Sequence, residues 1–136
     1  MEGLGRVFNV LPVADDVYVS LKDASAVTFV GVLAAGDTWT LSEKKADGTG
    51  EQVLATMTHY HVSATVGAAW VEKTQAAAST IVTPSSEDVV VVTISEAELS
   101  ANYTQVKLAS TSTGTVFAIL HDLKVQRKPQ NLPALV

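Results

Sequence analysis

Apolar and polar residues alternate along this chain in runs of five to ten, broken by clusters of Gly, Pro, Asn, Asp and Ser. Period-two alternation places successive side chains on opposite faces of a pleated strand, so the pattern predicts half-buried strands rather than amphipathic helices. Arg6–Val10 (RVFNV) opens the series, and Pro12 suits an edge strand or a strand end. Val17, Val19 and Leu21 share one face of the next run. Ala26–Val32 and Thr38–Glu43 flank LAAGD, where Gly36 can supply a left-handed turn position, and this is the clearest hairpin signal in the chain. Trp39 and Leu41 share a face of its second strand.

Residues 44–52 (KKADGTGEQ) read as a loop, with an Asp-Gly turn, a second glycine and four charges. Val53–Thr65 alternates and reads as strand. Ala68–Thr74 around Trp70 and Val89–Ile94 follow the same pattern. SEAELSANY (95–103) predicts a helical turn, with Ser95 as N-cap and Glu98 as its capping-box partner. Thr104–Ala109 and Thr115–His121 form a second hairpin-like pair across STSTG, and His121–Val125 completes the last strand. The expectation is an all-β fold: a single β-sandwich or small barrel-like domain of about seven to nine short antiparallel strands, with one short helical turn near 95–102. That domain spans residues 1–125, and residues 126–136 form an extended C-terminal arm.

Composition agrees. Charged residues make up 17% and hydrophobic residues 47%, with valine and threonine abundant, a mixture that suits pleated sheets and argues against disorder. With no cysteine, disulfides and thiolate metal sites are excluded. Met1–Gly5 runs straight into short apolar stretches, so no signal peptide is expected. The longest aliphatic run, Val89–Val92, is too short to span a bilayer, so a soluble chain made in the cytoplasm and no membrane partner are expected. A net charge of −5 argues against nucleic acid as a partner. That charge is uneven: residues 1–120 hold six Lys/Arg against thirteen Asp/Glu, whereas residues 121–136 hold three Lys/Arg against Asp122 alone.

Candidate chemistry is sparse. His59 and His61, two apart in a strand, would place both imidazoles on one face, with His121, Asp122 or Glu51 as a possible third metal ligand. The competing reading is a solvated strand face with Tyr60 pointing inward. ADGTGE lacks the remaining positions of a calcium loop, and Gly48 and Gly50 are not followed by the Gly-Lys-Ser/Thr of a phosphate loop. Glu96 with Glu98 and Glu87 with Asp88 are adjacent acids of a kind common on surfaces. There is no G-x-S-x-G elbow. Trp39 and Trp70 read as core residues rather than ligand platforms. The expectation is therefore a protein that is no enzyme, with no catalytic residue, no metal site and no cofactor.

The ends stand apart. Partner-binding candidates are Arg6, Phe8 and Leu11 at one end, and Lys124, Arg127, Lys128, Pro129, Leu132, Pro133, Leu135 and Val136 at the other. Pro129 and Pro133 bias the residues before them towards extended backbone, which lowers the entropy lost on docking. The arm either docks on another molecule or folds back over its own sheet edge.

Three stretches, GLGRVFNVLPVAD (3–15), TWTLSEKKADGTGEQVLA (38–55) and VFAILHDLKVQRKPQNLPALV (116–136), resemble small proteins encoded near the head genes of tailed bacteriophages, particularly phages of actinobacteria. The resemblance implies a structural virion protein, a minor capsid or head decoration (cement) protein on the capsid outer surface. Such proteins are frequently β-rich, bridge neighbouring subunits of the major capsid protein, and often associate with copies of themselves, commonly as trimers. The resemblance brings no ligand motif with it. Two other expectations stay open: a tail-tube, connector or tail-terminator subunit, and a carbohydrate- or host-surface-binding sandwich module.

Overall fold

The computed structural model describes residues 10–13, 16–111, 114–125 and 131. Eleven strands follow in chain order: β1 (Val10–Val13), β2 (Val19–Ser20), β3 (Ala24–Val32), β4 (Thr38–Lys45), β5 (Gln52–Val53), β6 (Met57–Ser63), β7 (Val71–Ala78), β8 (Thr80–Val82), β9 (Val89–Ser95), β10 (Tyr103–Ser110) and β11 (Thr115–Leu123). A six-stranded sheet has the order β1-β11-β3-β9-β6-β7. A second sheet has the order β2-β10-β4-β5, with β8 also on β4. Every strand pairing is antiparallel. The expected all-β sandwich is what the chain forms; β2 is the short remainder of the run expected over Val17–Leu21, and the strands beyond the expected number are the two- and three-residue pieces β5 and β8.

The core lies between the sheets and follows the alternation. Val27 and Phe29 of β3, Val90, Val92 and Ile94 of β9, and Val116, Ala118 and Leu120 of β11 are buried from one side. Trp39 and Leu41 of β4, Val106 and Leu108 of β10, and Val19 and Leu21 beside β2 close it from the other. Tyr60 and Val17 pack against the rim of this cluster. Trp39 is its largest member. A Cβ added at Gly31 of β3 would fall 2.6 Å from Trp39 Cη2, and one at Gly114 would fall 3.0 Å from the same atom. Both glycines are therefore required by the close approach of the indole, not by turn conformation.

Neither expected hairpin pairs with itself. β3 joins β9 and β11, whereas β4 joins β10, β5 and β8, so LAAGD crosses from one sheet to the other. STSTG likewise carries β10 of the second sheet into β11 of the first. The two crossings are stapled by Asp37, which is buried. Its carboxylate accepts hydrogen bonds from the Thr38 N–H at 2.7 Å, the Thr111 N–H at 3.0 Å, the Thr111 hydroxyl at 2.7 Å, and the Ser110 hydroxyl. The hairpins that do form are β4–β5 around residues 46–51 and β6–β7 around residues 64–70.

Other expectations shift by a few residues. The first described strand is Val10–Val13, with Pro12 opposite Phe117 on a sheet edge, as its missing N–H requires. The strand expected over Ala68–Thr74 runs over Val71–Ala78 instead, because the Thr65–Ala68 turn, closed by the Ala68 N–H on the Thr65 carbonyl at 3.0 Å, occupies its first residues. The expected helical turn is a 3-10 turn, Glu96–Glu98. Its capping box is complete: Ser95 Oγ accepts from Ala97, and Glu98 accepts from the Ser95 N–H at 2.7 Å.

Candidate functional site

Of the expected partner-binding residues, Arg6, Phe8, Arg127, Lys128, Pro129, Leu132, Pro133, Leu135 and Val136 lie outside the described residues. Leu11 sits in β1, opposite Ala118. Lys124 follows β11, its N–H donating to the Asp23 carbonyl at 2.9 Å and its ammonium paired with Glu96. Both partners of that ion pair are well exposed, so water and salt screen it and it contributes little to stability. The expected arm, residues 126–136, lies outside the described residues apart from Asn131, and β11 ends with Leu123 opposite Ala24, where β3 begins.

The histidine reading resolves through sheet order. His59 and His61 are exposed on β6, opposite Thr74 and Glu72, while Tyr60 packs inward. His121 lies on β11, three strand positions away, roughly 14 Å at ordinary strand spacing. It is held there by Thr28 and Asp122, both at 2.8 Å. Among the described residues, no group of three His, Asp or Glu side chains could hold a metal ion.

Two buried acids went unnoticed in the sequence, Asp37 at the end of the LAAGD turn signal and Glu43 in a strand-like run. Asp37 immediately precedes β4 and Glu43 lies within it, six residues on, roughly 20 Å along an extended segment. Burial alone would raise the Asp37 carboxyl, but the hydrogen bonds from Ser110, Thr111 and Thr38 outweigh it and hold the group below the usual carboxylate value. Glu43 Oε1 accepts from Gln52 Nε2 at 2.7 Å and from the Ser100 hydroxyl, and its Oε2 accepts from the Ser100 N–H at 2.9 Å. Each acid is saturated by local donors and ties loops to β4. Their separation rules them out as a general acid–base pair acting on one bond.

The densest polar cluster lies on the outer face of the second sheet. Lys107 of β10 is buried, with its ammonium on Asp16 and, at 2.8 Å, on Glu51. The Tyr18 ring takes Lys44 at 4.2 Å and Lys107 at 4.7 Å from its centroid. Burial opposes the charge on Lys107, but the bonds to Asp16 and Glu51 win and its pKa is raised. Burial also pushes the Tyr18 phenol up to about 12, with Lys107 opposing and Glu51 reinforcing the shift. At neutral pH the ammonium so held has no free lone pair with which to attack. The cluster fastens the 46–51 loop and the segment before β2 onto the sheet.

What the described surface offers instead is apolar area. On the outer face of the six-stranded sheet, Phe117, Val30 and Val91 stand in one cross-strand row, with Ile119 beside them, all partly exposed. At the end where β3 finishes, Leu33, Val66, Trp70, Val71 and Val82 are exposed. Trp70 is 56% exposed, against the expectation of a core residue, because it precedes β7, which is an edge strand among the described residues. Comparison with family models, with curated proteins and with solved structures found no match.

Proposed function

We propose that this chain is a structural virion protein that binds the outer surface of a tailed-phage capsid and stabilises contacts between major capsid subunits. The three stretches that resemble phage head proteins raise the idea. The observation that carries it is the Phe117–Val30–Val91 row, an apolar strip across the outer face of a six-stranded sheet. Such a strip suits burial against another protein surface, where shape and area matter more than reactive groups. In this reading the strip covers a seam between capsid subunits. The segment 126–136, with Arg127, Lys128, Leu132, Leu135 and Val136, reaches a neighbouring subunit. Binding at symmetry-related positions adds avidity without new chemistry. No enzymatic activity, cofactor or nucleic-acid contact enters the mechanism.

The tail-tube reading is less well supported. Tube subunits extend a long hairpin, and the segment available for one here, residues 44–58, is folded tightly against its own sheet. Lys45 N–H bonds the Thr49 carbonyl at 3.1 Å, and Glu51 is held by Lys107. One observation favours a carbohydrate-binding reading, the exposed indole of Trp70, which could stack on a sugar ring.

Co-sedimentation of the purified chain with expanded capsid shells tests the proposal. Saturable binding in hundreds of copies per shell is expected, with lower occupancy for Phe117→Arg and for a chain truncated after Val125. Absence of binding by the full chain overturns the proposal. About a dozen copies at one vertex would instead mark a connector. A change in Trp70 fluorescence on adding host cell-wall glycan, absent in Trp70→Phe, would favour the carbohydrate reading.

A further inference from the structure

The outer face of the six-stranded sheet holds a line of hydrogen-bonded side chains that the capsid reading does not use. His121 of β11 and Thr28 of β3 occupy diagonal positions, and Thr93 of β9 stands directly opposite Thr28. His121 Nδ1 lies 2.8 Å from Asp122 Oδ2, His121 Nε2 lies 2.8 Å from Thr28 Oγ1, and Thr28 Oγ1 lies 2.7 Å from Thr93 Oγ1. Consecutive strand residues point to opposite faces, so a histidine and the residue after it do not ordinarily meet. Asp122 reaches His121 with a φ of 53°, in the left-handed region that a non-glycine residue seldom occupies. The Asp122 side chain is 74% exposed, so core packing does not account for that backbone.

With the ring proton on Nδ1, facing the Asp122 carboxylate, Nε2 accepts from the Thr28 hydroxyl, whose oxygen in turn accepts from Thr93. Carboxylate, imidazole and hydroxyl then stand in the order that activates a hydroxyl as a nucleophile. We propose that Thr28 is a nucleophile with His121 as its general base, acting on activated aryl esters, and that Asp122 positions the imidazole. Thr28 Oγ1 attacks the acyl carbon while its proton passes to His121 Nε2. The bond to the aryl oxygen breaks, and the departing phenolate takes that proton. Water, deprotonated by His121, then cleaves the Thr28 ester and releases the acid. The substrate class follows from the surroundings. Ile119 stands opposite Thr28 on the same face, and Val30 and Phe117 form the next row, giving an aryl group apolar surface to lie on. β3 is paired on both sides, so its backbone N–H groups are committed to the sheet, and the Thr93 hydroxyl is left to donate to a developing oxyanion. One hydroxyl stabilises that charge less than two free N–H groups do, which confines the chemistry to esters with a good leaving group.

This activity does not rest on the capsid reading, and its test uses the full chain free in solution. A fluorophosphonate traps the first step: a bond forms between Thr28 Oγ1 and phosphorus, the phosphorus–fluorine bond breaks, and hydrogen fluoride leaves. Intact mass and peptide mapping are expected to show a single adduct, on Thr28, and para-nitrophenyl acetate is expected to be hydrolysed with the same dependence on variants. Thr28→Val is expected to abolish both reactions. His121→Ala is expected to slow both by about a hundredfold or more. Added imidazole is expected to restore part of that rate, since the face is open to water, and to restore none in Thr28→Val. Asp122→Asn is expected to slow labelling in the native chain and to change nothing in His121→Ala, the coupling that marks a residue acting through the imidazole. Circular dichroism spectra are expected to be the same for all variants. No adduct, an adduct on another residue in place of Thr28, an unchanged rate in His121→Ala, or independent losses from His121→Ala and Asp122→Asn each overturns the proposal.

Discussion

Asp37 and Thr111, 74 residues apart, are joined through both the backbone N–H and the hydroxyl of Thr111, at 3.0 and 2.7 Å. This contact locks the β3–β4 crossing to the β10–β11 crossing over the indole of Trp39. A buried carboxylate is tolerated only where donors replace its lost hydration, and Asp37 has four. Asp37→Ala removes a buried acceptor shared by four part-buried hydrogen bonds, so a loss of about 1–3 kcal/mol is expected in chemical denaturation. The acid limb follows from the lowered pKa. A carboxyl held below its ordinary 3.8 contributes fully above that value, and its contribution fades as pH falls through the lower folded pKa. Denaturation midpoints measured from pH 7 down to pH 2 are expected to fall more steeply for the native chain than for Asp37→Ala below about pH 4.

Gly31 and Trp39 make the second prediction. A methyl at residue 31 would lie 2.6 Å from Trp39 Cη2 and 2.8 Å from Val90 Cγ1. Neither neighbour sits at the free end of a flexible chain, so Gly31→Ala overpacks the core and is expected to cost about 1–3 kcal/mol. Trp39→Phe alone leaves a cavity where the outer ring of the indole lay. The double variant is expected to be more stable than the sum of the two losses, because the shorter ring withdraws from the added methyl. Strict additivity in the double-mutant cycle would show that the two residues do not meet.

How much of this was legible follows from the same residues. Alternation marks Val27, Phe29, Trp39, Leu41, Val90 and Leu120 as inward-facing, and the sandwich follows from the strand pattern. Strand partners do not. LAAGD suits a hairpin or a crossing equally well, and what decides is Asp37 meeting Ser110 and Thr111, a contact between segments more than seventy residues apart. Trp70 fails for a related reason. Its local pattern matches that of Trp39, but β4 lies inside its sheet and β7 lies at an edge, and edge position belongs to the topology. The capping box at Ser95 and Glu98 was legible because every contact in it is local.

The alkaline limb rests on Tyr18 and Lys107. Both pKa values are raised, so both groups favour the folded state in their protonated forms. Their contribution is fully present below the ordinary values of 10.0 and 10.5 and is lost as pH rises through the higher folded values. Thermal stability is expected to fall from about pH 10 upward, less steeply in Lys107→Met. Absorbance titration of the native fold is expected to show a phenolate component near pH 12 that Tyr18→Phe removes. Ionisation of Tyr18 at its ordinary value would separate it from this cluster.

Trp39 and Trp70 provide a direct optical test of the architecture. Trp39 is fully buried, and Trp70 is 56% exposed beside the open edge of β7. Acrylamide is therefore expected to quench two populations, with a downward-curving Stern–Volmer plot and an emission maximum that shifts to shorter wavelength as Trp70 is silenced. Trp70→Phe is expected to leave a single, blue-shifted and poorly quenched emitter with unchanged stability, since an exposed side chain contributes little packing. Trp39→Phe is expected to remove the blue-shifted component and to destabilise the fold by about 1–3 kcal/mol through the cavity it leaves. Equal quenching of both tryptophans would contradict the placement of Trp39 between the sheets.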